Sequence, residues 1–286
     1  MSFKLAVLTA TYNRKKELMR LYTSLIKQSD LSFTWLIIDD GSTDGTSELI
    51  NNLMSEGLLD IQYKHKTNQG KHSALNVGFK QSNSDWLFIV DSDDWLDNDC
   101  IESVKFFLER IHSSDEYASM TMLQKNEEGY LVGGHVNESH NNFIEMIDGG
   151  VKGDKCDVFR TNIVRHFSFP VFPKERFMSE LPLYLWLGQN YKAMFVNYCG
   201  YNCKYLSDGL SHNSVRLRTD NNLSTLYVYK CLYDTSNKFK IKLKASINWW
   251  RFYLSLRESR NFDWYPSILT MPLGALLYLY DKVKNV

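Results

Sequence analysis

The first hundred residues alternate short apolar runs with segments of helical spacing, and polar clusters follow the strand-like runs. Phe3–Ala10, Phe33–Ile38, Asp60–His65 and Trp86–Val90 read as strands. Between them, Leu18, Leu21, Tyr22, Leu25 and Ile26 recur on one helical face. Leu49, Ile50, Leu53 and Met54 mark a second helix and Ser73–Gln81 a third. Apolar runs of this length, separated by helices, fit strands covered on both faces. The expected fold class is therefore α/β: a Rossmann-like, mainly parallel sheet with right-handed crossovers, flanked by helices. Ligands of such sheets bind beyond the carboxyl ends of the strands. Thr11-Tyr12-Asn13-Arg14, Asp39 to Asp44, Asn68 to Lys71 and Asp91 to Asp94 sit at those ends, so four chain-distant clusters should meet on one edge.

Beyond about residue 105 the pattern loosens. Gly129 to His135 and Gly149 to Gly153 read as loops or hairpin turns, Phe169-Pro170 and Phe172-Pro173 punctuate an irregular stretch, and Ser179 to Asn190 is helical. From Leu223 onward aromatic and basic residues mix at helical spacing, giving a C-terminal helical extension. The chain divides into 1–105, 106–215 and 216–286.

Composition excludes several classes. At 44% hydrophobic residues the chain is not disordered, and 33 basic against 33 acidic side chains give no nucleic-acid-like field. The balance is uneven: from Arg216 onward there are 12 basic and 5 acidic residues, so that end is basic and the rest acidic. Five cysteines form no disulfide framework, and no second pair completes a zinc set with Cys199 and Cys203. Met1-Ser2-Phe3-Lys4 runs into a strand rather than a signal peptide, and Ile268 to Tyr280 is short for a bilayer and contains Pro272. These features lead us to expect a cytoplasmic protein.

Asp91-Ser92-Asp93-Asp94 is the strongest chemical signal, because carboxylates this dense repel one another. A hard divalent ion shared with a diphosphate would satisfy them; a solvated acidic turn is the other reading. An aspartate of the Asp39-Asp40-Gly41-Ser42-Thr43-Asp44 loop can accept hydrogen bonds from a base ring or a ribose, while the same loop starts a helix. Asn68-Gln69-Gly70-Lys71 brings a cation to the same edge, where Lys71, or Arg14, could steady phosphate oxygens. Its spacing is not that of a Walker phosphate loop.

Taken in order, TATYNR, IIDDGSTDGT, NQGKHSALNVG and FIVDSDDWL resemble the family 2 glycosyltransferases, with weaker likeness through FPKERFMSE and YLSDGLSHN to about residue 215. The resemblance implies the GT-A nucleotide-diphospho-sugar transferase fold. It implies that Thr11, Tyr12, Asn13 and Arg14, with Asp39 or Asp40, hold uridine. Asn68 and Lys71 would lie near the donor, Asp91 and Ser92 would contact it, and Asp93 would bind Mn²⁺ or Mg²⁺. Relatives mostly invert the anomeric carbon by direct displacement, and Glu180 falls at the family's acidic catalytic position. Many relatives carry an acidic pair there, whereas this chain has Ser179 before the Glu. Glu175 and Asp154 are alternatives for the base, and Glu180 also suits a helix's first turn. Asp154 and Lys155 would line an acceptor pocket or form a polar turn. His212 would complete the metal shell, contact phosphate or make ordinary hydrogen bonds.

The resemblance further implies bacterial surface polysaccharide assembly, such as O-antigen or capsule units, on a saccharide acceptor carried by a lipid diphosphate. In the extension, Lys238, Lys240, Lys242 and Lys244 alternate with Phe239, Ile241 and Leu243, ahead of Trp249, Trp250 and Arg251. This period-two alternation argues against a clean amphipathic helix across the lysines. The mixture suits peripheral contact with an anionic membrane, on the cytoplasmic face of the inner membrane; a packed aromatic seam is the other reading. The remaining functional alternatives are a degenerate nucleotide-binding scaffold and a sugar nucleotidyltransferase. The latter needs a Gly-rich basic loop where Thr9-Ala10-Thr11-Tyr12-Asn13 stands.

Overall fold

The strand and helix periods of the first ninety residues are realised almost residue for residue. A computed structural model describes residues 3–151, 153–204, 214–256 and 261–284. In it β1 (Leu5–Thr11), α1 (Lys15–Leu25), β2 (Phe33–Asp39), α2 (Thr46–Glu56), β3 (Asp60–His65), α3 (Lys71–Gln81) and β4 (Trp86–Ile89) alternate. Then come β5 (Trp95–Leu96), α4 (Cys100–Glu109), β6 (Tyr117–Met122), β7 (Gln124–Asn126), α5 (Phe143–Asp148), β8 (Cys156–Arg160) and α6 (Thr161–Val164). The chain continues through α7 (Leu181–Asn190), β9 (Lys192–Phe195) and β10 (Tyr201–Cys203). It closes with α8 (Ser214–Asp220), α9 (Asn222–Thr235), α10 (Phe239–Tyr253) and α11 (Met271–Lys284).

Seven strands form one sheet in the order β3-β2-β1-β4-β8-β6-β9, in which β8 runs against its neighbours and the other strands are parallel. Alternation along β1 explains the two layers of helix. Leu5 and Val7 point to the core that contains Leu18, Leu21 and Leu25 of α1. Ala6 and Leu8 point to the opposite core, with Ala74, Leu75 and Phe79 of α3. Each fully buried leucine in these layers contributes roughly 1.5–3 kcal/mol. Such burial fixes the register, since a slip of one residue would turn every apolar side chain to the wrong layer.

That register delivers the polar clusters to one edge. Thr11 is level with Asp39, Asp39 with His65, and Leu8 with Ile89, so the chain leaves four parallel strands at neighbouring points. β5, β7 and β10 make a small second sheet beside the loop that follows β4.

The expected C-terminal helical extension is present, and residues 239–253 within it are a continuous helix that includes the alternating lysines. Helical spacing is carried further along, where Ala245, Ser246, Trp249, Trp250 and Phe252 are buried, while Phe239 at the helix start is 79% exposed. Trp249 and Trp250 are 2% and 5% exposed and pack among Tyr253, Phe262 and Tyr265, so they are core rather than membrane-facing side chains. The packed seam is thus the arrangement found for these two residues. Among the described residues no helix is long and apolar enough to cross a membrane.

α11 is joined to α10 by a two-pronged ion pair, in which Arg251 Nε and Nη2 each donate to Asp281 at 2.6 Å. The two side chains are 17% and 12% exposed. Breaking a mostly buried pair strands a charge, so Asp281→Ala should cost about 3 kcal/mol in urea unfolding, whereas joint Arg251→Met and Asp281→Leu should recover most of it.

Candidate active site

The loops at the carboxyl edge enclose a cleft of about 740 Å³. Thr11, Tyr12, Arg14, Asp40, Asn68, Lys71, Asp91, Ser92, Asp93, Asp154, Lys155 and Glu180 all line it. His212 lies outside the described residues.

Asn13 and Asp39, expected at the nucleotide, do not line this cleft. Both are used to build the loops. Asn13 takes a left-handed backbone (φ 50), its N–H donates to Ser42 Oγ, and its side-chain oxygen accepts from Thr43 N–H. Asp39 is fully buried and accepts from Ser42 N–H and Tyr63 Oη, both at 2.8 Å. Asp40 reaches the cleft, but its carboxylate pairs with Lys66 and accepts from Gln69 and Gly70 N–H. It anchors the 66–70 loop to the end of β2.

Two glycines permit the close approach of these loops. Gly41 has φ +90, and a Cβ there would lie 2.9 Å from Asn68 N. Gly70 has φ +93, and its Cβ would fall 2.0 Å from the Arg176 carbonyl oxygen. Neither position tolerates a side chain without displacing backbone.

The acidic turn after β4 is held from both sides. Arg20 of α1 donates to the Asp93 carbonyl oxygen and stacks over Trp95 at 4.3 Å. From the small sheet, Tyr201 Oη donates to Asp94 (2.7 Å) and accepts from Asp91 N–H (3.0 Å), and Lys204 N–H also donates to Asp94. Carboxylate oxygens of Asp91, Asp93 and Asp94 lie within 4.8 Å of one another. Burial, and then the charge of Asp91, raise the Asp93 carboxyl and push Asp94 up to about 8. Three oxygens whose mutual repulsion disfavours ionisation fit a hard divalent cation, which would remove that penalty.

Across the cleft, Lys71 Nζ bridges Asp91 (2.6 Å) and Glu180 (2.8 Å). Burial alone would raise Glu180, but the Lys71 charge and hydrogen bond overcome it and hold the carboxyl below its ordinary value. Glu180 is therefore a carboxylate at neutral pH, able to accept a proton. Tyr184, one turn along α7, places its hydroxyl 3.0 Å from Glu180 and 2.9 Å from Asp157.

Glu175, an alternative for the base, is committed elsewhere. Its two oxygens accept from Leu223 and Ser224 N–H at 2.7 Å, closing the amino end of α9. Reciprocally, Asn221 Oδ1 accepts from Arg176 and Phe177 N–H. The loop leading to Glu180 is thus stitched to the extension. Asp154 is exposed at the cleft rim, and Lys155 Nζ donates to the Val132, Gly153 and Asp154 carbonyls at 3.3–3.4 Å.

Sequence reading placed Asp94 in the carboxylate cluster but named only Asp93 of it as a metal ligand, and it missed Arg20, Tyr201, Tyr184 and Asp157 entirely. Tyr184 had a usable signal, four residues after Glu180 on one helix face. Asp157 had a weaker one, a charge inside the apolar run of β8. Arg20 and Tyr201 act across the tertiary fold and left none.

The profile of glycosyl transferase family 2 matches residues 6–167, more than half of the chain. This chain belongs to the family 2 glycosyltransferases. An uncharacterized glycosyltransferase of Haemophilus influenzae is 32% identical over 108 residues, covering 38% of this chain and 43% of that protein. The poly(ribitol-phosphate) β-N-acetylglucosaminyltransferase TarS of Staphylococcus aureus is 29% identical over 112 residues, covering 38% of this chain and 20% of TarS. The chain thus spans less than half the length of these curated relatives.

Among solved structures, residues 1–349 of S. aureus TarS in complex with UDP-GlcNAc match at TM-score 0.64 and 19% identity, over 95% of this chain and 78% of that one. The mannosyltransferase PcManGT of Pyrobaculum calidifontis, in complex with GDP-Man and Mn²⁺, matches at TM-score 0.59 and 14% identity, over 99% and 76%. The fold is GT-A, with its mainly parallel sheet, flanking helices and C-terminal helices.

Replacing Glu175 by Ala should expose two N–H groups of α9 and lower stability by about 1–3 kcal/mol. Hydrogen exchange should quicken at Leu223 and Ser224; unchanged exchange there would refute the capping role.

Proposed function

We propose that the protein is an inverting, metal-dependent glycosyltransferase that moves a hexosyl group from a UDP-sugar to a hydroxyl of a saccharide acceptor. One observation carries this reading: a carboxylate trio fit for a divalent cation faces an ionised, part-buried glutamate across one cleft, with Lys71 between them. Two buried cleft atoms, Thr11 Oγ1 and Asn68 Oδ1, have no hydrogen-bond partner among the described residues, as expected where a ligand completes the bonding.

In this reading residues 1–105 bind the donor, 106–215 the acceptor, and 216–286 support both. Thr11, Tyr12, Arg14, Asp40 and Asn68 surround the uridine, while Asn13 and Asp39 keep those loops in shape. Asp91 and Ser92 contact the donor, and Lys71 balances its phosphate charge. Asp93, with Asp91 and Asp94, would hold Mn²⁺ or Mg²⁺, and His212 is a further candidate ligand. A cation held by these carboxylates would supply Lewis-acid stabilisation of the charge growing on departing UDP. Glu180 takes the proton of the acceptor hydroxyl as its oxygen attacks the anomeric carbon from the opposite side. Asp154 and Lys155 stand at the rim where the acceptor enters.

The acceptor is read as a lipid-diphosphate-linked saccharide of bacterial surface polysaccharide synthesis, such as O-antigen or lipopolysaccharide, used at the cytoplasmic face of the inner membrane. TarS, whose name records transfer of N-acetylglucosamine to poly(ribitol-phosphate), supports a polymeric, phosphate-bearing acceptor in general terms. The membrane contact is assigned to α11 in place of Trp249 and Trp250. Leu269 in the turn just ahead of α11, and Leu273, Leu276, Tyr280 and Val283 on it, are spaced by three or four residues and are 84%, 49%, 63%, 56% and 83% exposed. Lys282 and Lys284 follow on the same helix.

A screen of UDP-sugars for UDP release, with and without EDTA, tests the activity. Asp93→Ala should abolish metal-dependent turnover. Glu180→Gln should bind the donor as before yet transfer it about 10²–10⁴-fold more slowly; undiminished transfer would move the base elsewhere. On phosphatidylglycerol vesicles, joint Leu276→Glu and Val283→Glu should prevent sedimentation with lipid, and retention would end the membrane assignment.

A further inference from the structure

Tyr184 Oη lies within hydrogen-bond distance of two carboxylates and carries one proton. It can donate to Asp157 or to Glu180, but not to both. The remaining contact holds a second proton or sets lone pair against lone pair.

The two carboxylates are not equivalent. Glu180 has the Lys71 ammonium at 2.8 Å. Asp157, on β8 and 5% exposed, has the hydroxyls of Thr121 from β6 and Tyr184 from α7 as its hydrogen-bond donors. The other titratable groups that bear on it are Glu180 beyond Tyr184, and Lys155 and Cys156 of its own strand segment. None of these is one of the three clustered aspartates.

We propose that Asp157 is the proton reservoir of the base, coupled to Glu180 through Tyr184. With Asp157 ionised, Tyr184 Oη donates its hydrogen bond to Asp157 Oδ2 and a tyrosine lone pair faces Glu180 Oε2. An anionic oxygen opposite a lone pair is poised to take up a proton. As the acceptor oxygen bonds to the anomeric carbon and the bond to UDP breaks, the acceptor proton passes to Glu180. From Oε2 it moves to Tyr184 Oη while the tyrosine's own proton moves to Asp157 Oδ2. The balance is one proton carried from acceptor to Asp157, with Glu180 again a carboxylate and Tyr184 unchanged. The return path, once products leave, runs back through Glu180 to water. With Asp157 protonated at the outset, Tyr184 instead donates to Glu180 and weakens it as a base. Burial pushes the Asp157 carboxyl up to about 6, against the pull of the Thr121 and Tyr184 hydrogen bonds. The switch therefore falls at about pH 6, and transfer rises with pH through it.

Asp157 and Tyr184 are positioning residues in this scheme, which rests on Glu180 being the base. Carboxyl carbon-13 NMR of the full chain tests it without a donor. The Asp157 resonance is identified by its loss in Asp157→Asn, a variant that keeps an acceptor for the Thr121 hydroxyl. In Tyr184→Phe the Asp157 midpoint should rise by about one pH unit, because a donor to its charged form is gone. An unmoved midpoint would put the tyrosine proton on Glu180 and overturn the relay. In the pH profile of UDP release from the best UDP-sugar of the screen, Asp157→Asn should lose the wild-type acid limb. It should also run about tenfold slower above the switch, since its amide holds Tyr184 donating to Glu180 at every pH. A lower rate with the limb intact would mean that Asp157 is structural. If Glu180→Gln transfers normally, the reading of the base fails; if it is inactive while the Asp157 midpoint ignores Tyr184, the relay alone fails.

Discussion

Carboxylates crowd the carboxyl edge of the sheet, and the ammonium of Lys71 bridges two of them. Its contacts with Asp91 and Glu180 cross the cleft from the end of β4 to the start of α7. Without a cation there, burial and mutual repulsion would push the acidic turn and the part-buried glutamate toward protonation. Lys71 opens α3, whose preceding glycine lets the loop pass against the Arg176 carbonyl. Electrostatics and backbone geometry thus meet at one point, and the loops around it are built to keep that point fixed.

Much of this arrangement could be read from the chain. Short apolar runs broken by helical spacing predict the central parallel strands because both faces of β1, β2 and β4 are covered, and the alternating destinations of Leu5, Ala6, Val7 and Leu8 show the cause. The polar clusters fall at one edge because a common strand direction leaves them no other place. What could not be read depends on contacts between distant elements. Asp39 looks like a ligand in sequence, yet Ser42 and Tyr63 engage it fully. Glu175 looks as available as Glu180 until the N–H groups of α9 close over it. Residues 238–244 alternate without a buried helical face because they bury little, and the tryptophans beyond them decide the helix.

The second half of the sheet explains why Asp157 escaped notice. β8 runs antiparallel, so this strand and its neighbours meet the cleft in opposite senses. Asp157, the second residue of β8, therefore reaches the cleft beside Tyr184 from the amino end of its strand. Rules that search the carboxyl ends of strands overlook a group of this kind, although a buried carboxyl needs partners wherever it lies.

The reciprocal stitching between residues 175–177 and 221–224 bears on how the protein can be dissected. Each segment supplies acceptors for backbone donors of the other, so cutting the chain ahead of α8 would leave the Glu175 carboxylate and the Arg176 and Phe177 amides without mates. A chain shortened there would lose order in the loop leading to Glu180, whatever the missing helices do for themselves. Surface and engine share a hinge pin here, and substitutions confined to the outer stripe of α11 are the cuts that separate them.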